Sequence, residues 1–594
     1  MVLDALVLAK SQETALVDAR FKVGGYEFRD PDYRQILLWA KALQLNPEEV
    51  VERLKGSSCE LAEEEAIAFV VEGGAIVSLV WDFALLPLEI FEWTEGLTIQ
   101  ELSFKGTPKV SLWIAPRLPH LNRLVCSDTN LTELNLSNVP RLRELYCTNN
   151  FLNGLDLSNV PELTLLRCDD NCLTELILSN VPELTELRCQ GNSLVELDLS
   201  SVPVLRTLNC STNPLNGLDL SNVPRLGDLE CAHNFLLELV LSNVPELTKL
   251  VCDDNQLSEL DLSNVPELNE LVCNDNELDE LVLSNVPRLR ELYCTNNFLN
   301  GLDLSNVPEL TDLICYRNSL SWLDLSGVPR LTTLSCTGNR DLTELDLSNV
   351  PELTSLYCSE NKLTELDLSN VPALTDLDCS ENMLTKLDLS NVPGLTSLGC
   401  GRNELTELDL SNVPALANLS CAANRLSKLY LSNSPDLTHL GCSENLLTKL
   451  DLSNVPGLTS LGCGRNELTE LDLSNVPALT SLDCRGNKLT ELDLSNGPAL
   501  TNLSCDENRL SELYLSNVPD LTDLGCSENL LTKLDLSNVP KLEFLSCIGN
   551  QLSDLDIRML NSRKSRKFLH LRHDPSVTLI KYPDQFVSDS EGFD

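Results

Sequence analysis

The chain's 23 cysteines offer three kinds of chemistry: a thiolate nucleophile, a disulfide framework or a metal site. Their spacing argues against all three. Twenty-one occupy one position of a repeat, from Cys126 to Cys336 in steps of 21 residues. After one inserted residue near Arg340 and Asp341, the same steps run from Cys358 to Cys547. Each alternates with leucine, as in Leu377-Asp378-Cys379, so the thiol points inward beside leucines. Like residues on stacked strands lie about 4.8 Å apart, but their parallel side-chain directions suit the near-perpendicular disulfide torsion poorly. The economical reading is free thiols acting as small core hydrophobes in a reducing compartment. No CxxC occurs, and the five histidines (120, 233, 439, 570, 573) are scattered, so no metal site is expected. Cys59 stands among acidic residues, which disfavour a thiolate, and Cys172 is a one-off variant beside the ladder. There is no Gly-rich phosphate loop, GxSxG or HExxH. No catalytic residue and no cofactor is expected, and the chain reads as a non-enzyme.

Carboxylates form a second ladder. Asp recurs at the middle of LxL, for example Asp156, Asp198, Asp261, Asp367 and Asp493, often with Glu two residues earlier. Like charges at strand spacing repel, so this face should attract cations or a basic partner; a line of carboxylates is not a closed oxygen cage for calcium. The whole chain carries 89 acidic against 43 basic residues, a formal net charge of -46. Such a surface disfavours nucleic acid and anionic membranes.

These residues are positioned by the repeat itself, LxxLxCxxNxLxxLDLSNVPx. A fixed period of 21 residues is the mark of a solenoid, in which each coil contacts its neighbours. Leucines and Cys define one short strand. LxxLDL suggests a second extended segment on the opposite side, and Ser-Asn-x-Pro turns the chain. Asn follows Cys by three residues in every coil but the first, where Thr129 replaces it, and should hydrogen-bond backbone at the turn.

Three regions follow: 1–97, 98–557 with about 21 coils of 21 residues, and 558–594. The first reads as a small helical cap or domain. Ile36, Leu37, Ala40 and Leu43 have helical spacing, and Asn46-Pro47-Glu48-Glu49 is a helix start with a capping box. A further helix is expected over Glu60–Val71, ended by Gly73-Gly74, with packed apolar helix to about Phe91. From Thr98 the repeat is degenerate, with Leu112 and Ile114 out of register. The tail is basic (Arg558, Arg563, Lys564, Arg566, Lys567, Arg572), reads as a cap neutralising nearby carboxylates, and should close the last coil with strands near Leu569 and Val577–Ile580. The N-terminus shows no secretory signal and no segment suits a membrane span, so a cytoplasmic protein without membrane insertion is expected, with non-classical secretion the other route.

LxxLxCxxNxL resembles the leucine-rich repeat motif, and the full unit is similar to the short bacterial 21-residue subtype with a nested half-repeat, the IRREKO class. The resemblance covers about three quarters of the chain. It implies an α/β or mainly β protein: a right-handed solenoid with a parallel sheet on its concave face, devoted to protein–protein recognition. The fold does not choose among the scaffolds, effectors and internalin-like surface proteins that share it.

On that face the residue before Cys should point outward. Through residue 357 it is often aromatic, Arg or aliphatic; beyond, it is mostly Gly, Ser or Asp. Aromatic and Arg side chains are the usual interface anchors. The candidate partner-binding residues are therefore Tyr146, Arg167, Arg188, Val251, Val272, Tyr293, Ile314, Tyr316 and Tyr357. The expected molecule is a monomeric scaffold or signalling adaptor for a basic protein partner. The alternative is a secreted effector or internalin-like surface protein that binds a host or cell-surface partner. Long blocks recur, such as Glu144–Leu163 repeated as Glu291–Leu310, which fits an array of adjustable length.

Overall fold

The structure, a computed structural model, describes residues 20–61, 64–87, 93–106, 118–560, 569–582 and 587–589, with backbone alone at 59–61, 64–66 and 587–589. Leu112, Ile114, Arg563, Lys564, Arg566 and Lys567 lie outside the described residues. The chain forms two compact units, Met1–Leu289 and Arg290–Asp594.

The first unit opens with β1 (Arg20–Val23) and β2 (Tyr26–Arg29), an antiparallel pair turned by Gly24-Gly25 at φ 55° and 85°. Two positive φ values in succession make the turn whose twist matches a hairpin, and glycine adopts them without strain. Helix α1 (Asp30–Leu43) follows, then α2 (Pro47–Lys55). The expected capping box is present: the Glu49 N–H donates to Asn46 Oδ1 at 2.8 Å, and the Asn46 N–H donates to Glu49 Oε2 at 3.2 Å. The buried stripe of α1 is Asp32, Gln35, Ile36, Trp39 and Ala40, while Leu37 and Leu43 are half-buried.

Beyond α2 the helical expectation fails. Residues 58–72 form β3 (Ser58–Leu61), β4 (Glu64–Ala68) and β5 (Val70–Glu72), and the apolar run after them is β6 (Ala75–Asp82). Gly73-Gly74, read as a helix stop, is a second hairpin turn at φ 54° and 85° joining β5 to β6. The apolar run is buried on both faces, and a short run of that kind has no periodicity to separate strand from helix. Strand β6 pairs parallel with β7 (Glu101–Lys105), and β7 pairs with the strand Arg123–Val125 of the first cysteine-bearing coil. The sheet is therefore already under way before the repeats begin.

From there each coil contributes a three-residue strand whose central residue is a buried leucine, paired in register with the next. Leu166 opposes Leu187, and Leu229 opposes Leu250. The inward leucines, the Cys column and the Val of SNVP fill the core with almost no exposure, each buried leucine contributing about 1.5–3 kcal/mol.

The asparagine column clips coils together, as its spacing predicts. Asn213 Nδ2 donates to Cys189 O at 3.0 Å in the preceding coil and to Cys210 O at 3.1 Å in its own; its Oδ1 accepts from Leu194 N at 3.0 Å. Thr129, the exception, donates its hydroxyl to Cys126 O in its own coil at 2.5 Å. It stands in the first cysteine-bearing coil.

The second unit repeats this plan from the strand Glu291–Tyr293 to Phe544–Ser546. Strands Leu569–Arg572 and Val587–Asp589 extend the sheet, and Thr578–Ile580 pairs with Asp554–Asp556 on the other side, so the expected closing strands are present. Arg558 forks onto Asp556 at 2.6 and 2.9 Å. The second extended segment of the coil is paired only in places: Gly301–Asp303 with Trp322–Asp324, and Glu407–Asp409 with Lys428–Tyr430. In each pair the leucine of the first coil is 1 % exposed (Leu302, Leu408), while that of the second (Leu323, Leu429) is 7–8 % exposed, like unpaired Leu366.

Candidate partner-binding face

Each short strand turns three side chains outward: those three before, one before and one after Cys. Cys itself and the leucine two before it face in. Coil stacking then lines the outward residues into columns, and in the first unit these columns interact.

Tyr146 begins this strip, and it corrects one expectation. It stands on the strand face but is only 3 % exposed, packed with Ile67 of β4, Val80 of β6 and Val125. The hairpin strand β4 covers the face here, closing Tyr146 to a partner. Its ring lies between two guanidiniums, Arg123 at 5.6 Å and Arg167 at 5.4 Å.

The open face starts next. Glu186 Oε1 accepts from Arg167 Nε at 2.9 Å and from Arg188 Nε at 3.0 Å, so one carboxylate holds both candidate arginines. Arg167 is largely covered, whereas Arg188 keeps 38 % of its side chain exposed. Asp169, just after Cys168, is 5 % exposed, and burial pushes its carboxyl up to about 6 even though Arg188 lies near. Further along, Asn209 Nδ2 donates to Glu230 Oε2 at 2.7 Å, and Lys249 bridges Glu230 at 3.1 Å and Glu270 at 3.7 Å. Burial alone would lower the Lys249 amine, but these carboxylates more than offset it and hold it above its ordinary range. Asp228 is raised by burial, with Glu230 beside it adding to the effect. Val251 and Val272 are half-buried neighbours in register within this polar frame.

In the second unit Tyr293 and Ile314 are also register neighbours, and Tyr293 Oη donates to Glu291 at 3.2 Å. Tyr316, one residue after Cys315, is half-buried; Tyr357 is 40 % exposed. The structure thus brings Tyr146, Arg167 and Arg188 together, pairs Val251 with Val272 and Tyr293 with Ile314, and leaves Tyr357 beside Ser335. Beyond it the columns hold Gly399, Ser420, Gly441 and Gly462.

On the opposite side of the coil, the Asp ladder has a structural cause that spacing alone did not reveal. The Ser369 N–H donates to Asp367 Oδ1 at 2.9 Å, and the same turn recurs from Asp156 to Asp535. These bonds from Ser369 hold the exposed Asp367 carboxyl below its usual range. A further ladder went unread in the sequence. The Thr four residues before Cys donates its hydroxyl to the backbone one coil back, as Thr480 does to Thr459 O at 2.9 Å and Thr501 to Thr480 O at 3.0 Å. Its signal was the recurrent LT after VPx.

Among the described residues no group of three or more His, Cys, Asp or Glu could hold a metal ion, and no helix is long and apolar enough to cross a membrane. The 22 described cysteines are free, all buried except Cys172. Burial raises the ladder thiols, Cys126 and Cys210 to about 12, so they are poor nucleophiles.

This architecture defines a leucine-rich repeat solenoid. YopM from Yersinia enterocolitica WA-314 is 26 % identical over 83 % of this chain and 91 % of that one, with a TM-score of 0.50. The functional domain of InlJ from Listeria monocytogenes, described as including a cysteine ladder, is 30 % identical over 67 % of this chain and 74 % of that one, TM-score 0.43. The plant peptide hormone receptor RGFR1, solved in complex with RGF2, is 20 % identical over 81 % and 86 %, TM-score 0.66. No family model and no curated protein sequence matches the chain. The chain belongs to the leucine-rich repeat proteins.

Proposed function

We propose that this is a non-enzymatic protein-interaction scaffold or signalling adaptor of the short 21-residue nested-repeat class, and that it engages its partner on the strand face of the first unit, between Arg167 and Val272, with Tyr293, Ile314, Tyr316 and Tyr357 as candidate contacts on the strand face of the second. The observation that carries this reading is the contrast along one face. In the first unit the outward columns hold a half-buried network of Arg, Glu, Lys and Asp framing Val251 and Val272, whereas beyond Tyr357 the column before Cys is Gly, Ser or Asp. Varied, partly desolvated side chains on a rigid sheet suit specific recognition; small uniform ones suit spacing. The half-open carboxylates favour a basic partner, and the buried free thiols favour a reducing, cytoplasmic setting for a monomeric protein. The plant peptide hormone receptor RGFR1, which shares the fold, was solved in complex with RGF2.

The test compares V251D/V272D with S420D/S504D in affinity capture from cell extract followed by mass spectrometry. Partners lost from V251D/V272D and kept by S420D/S504D support the assignment. Equal retention by both, or loss from S420D/S504D alone, overturns it.

A further inference from the structure

Three coils carry the segment Asn-Gly-Leu-Asp-Leu, with glycines at 154, 217 and 301. Most other coils place a charged side chain there, on the outer side of the second extended segment, so each glycine leaves a notch. A Cβ added to Gly154 or Gly217 would meet nothing within 4 Å. The third notch is filled from within: Trp322 of the following coil lays its indole on Gly301 so closely that no Cβ fits, and the two coils pair as strands.

The open notches sit in grooves of about 650 Å³ at Gly154 and about 560 Å³ at Gly217. Glu133 and Glu175 flank the first, with Ile177 as an apolar edge; Glu196 and Glu238 flank the second, with Val240 in the matching role. Ile177 and Val240 interrupt the Asp ladder and are 59 % and 56 % exposed. Two further grooves on this side of the coil have charged residues on successive rungs, Glu470, Glu491 and Glu512 in one and Glu344, Glu365 and Lys386 in the other, and no glycine.

We propose that the Gly154 and Gly217 notches form a paired docking site for an extended basic segment of a protein partner, which inserts one aromatic ring into each. Trp322 on Gly301 shows the chemistry that fills such a notch, a flat aromatic ring against bare backbone. The flanking glutamates select Lys or Arg beside each ring. Gly154 and Gly217 are 63 residues apart, which is three coils of 21. Three coils at roughly 4.8 Å span about 14 Å, the reach of four residues of extended chain at about 3.3–3.6 Å each. Residues i and i+4 of an extended segment face the same way, so both rings can enter at once and reinforce each other. This surface lies on the other side of the coil from the strand face, so it stands or fails independently of that reading.

The experiment measures fluorescence anisotropy of fluorescein-labelled KWKAKWK against the full chain. The controls are KAKAKAK and KWKAWKK, which remove the rings and alter their spacing. Two protein variants accompany them: E175W/E238W fills both notches as Trp322 fills the third, and E175Q/E238Q makes the same charge change without filling. Binding of KWKAKWK should weaken at least tenfold in E175W/E238W but only about two- to threefold in E175Q/E238Q, and both control peptides should bind at least fivefold more weakly to the wild type. Equal binding of KAKAKAK and KWKAKWK would reduce the site to bulk charge and overturn the proposal. Equal losses in the two protein variants would do the same. Independently of any notch-filling variant, W322A opens the third notch, and calorimetry should count three sites for KAKWKAK in place of two; an unchanged count also overturns the proposal.

Discussion

The strand faces of residues 165–272 and 397–546 share one backbone plan and differ in nearly everything above it. Both pair three-residue strands in register through a central leucine, both are clipped by asparagine, and both bury a cysteine in each coil. In the first, the outward columns contain Arg167, Glu186, Arg188, Asp169, Glu230 and Lys249 in mutual contact or close approach; in the second, Gly399, Gly441, Gly462 and Gly525 carry no side chain, and the charged residues are fewer, Arg485 with Asp483 and Asp506 with Ser504 among them. The difference separates two tasks. Positions that hold coils together are the same in both stretches because the stack imposes the same demands on every coil. Positions that face solvent escape those demands, so their variety in the first stretch serves something other than folding.

If the scaffold really is common to both stretches, thiol reactivity should ignore which half a cysteine occupies. With an aromatic disulfide reagent on the native protein, Cys172 should react at once and the described ladder cysteines of both units only on local opening, slower on the order of a thousandfold. Prompt labelling of ladder cysteines in one unit alone would break the equivalence. Next in size is the asparagine clip. N213A strands Leu194 N and removes one of two asparagine donors from Cys189 O and Cys210 O, which keep Asn192 and Asn234; N466A strands Leu447 N and does the same at Cys442 O and Cys463 O, which keep Asn445 and Asn487. Each should cost about 3 kcal/mol, read as a matching loss of amide-exchange protection in the adjoining coils. A cost confined to one variant would show that the two stretches are not held alike.

Sequence alone went far with the repeating part because every coil poses the same packing problem and answers it in the same letters. The period, the inward Cys and Leu columns, the asparagine clip and the capping box of α2 all follow from spacing and residue type. It failed where the neighbours are unique. Residues 60–71 were expected as helix and form β3, β4 and β5, because their strand character is imposed by pairing with one another and with the sheet. Tyr146 was expected as an anchor and is covered by Ile67, a contact between residues 79 positions apart that no local pattern announces. The Asp ladder was visible as charge, but its bond to the serine two residues on was the stronger determinant. The notches at Gly154 and Gly217 needed coordinates, since a glycine in sequence does not say whether its space is open or taken by a neighbour such as Trp322.

The smallest expected effect bears most directly on whether the varied face costs the fold anything. Asp169 is buried beside Thr148 Oγ1, which donates to its Oδ2 at 3.4 Å, with Arg188 and Asp170 as the nearest charges. Burial holds its carboxyl at about 6 in the folded chain, against 3.8 for an unperturbed aspartate. Between those values the native state keeps a proton that the unfolded chain has lost, so stability falls as pH rises from about 4 to about 6 and stays lowered above that. At about 1.4 kcal/mol per pH unit, the cost at neutral pH approaches 3 kcal/mol. D169N keeps the shape and removes the charge. It should leave denaturant stability unchanged near pH 4 and raise it by about 2 kcal/mol at pH 7, the gain appearing across the interval between. Of the matching positions in the second unit, Gly401, Ala422 and Ser443 carry no charge, and Asp506 is half-buried and accepts from Ser504 Oγ and Ser527 N, both at 2.8 Å. A gain independent of pH would mean that Asp169 is an ordinary solvated carboxylate. A gain that follows pH would mean that the first stretch retains a charge which opposes its own stability, as a surface kept for a partner does and a spacer does not.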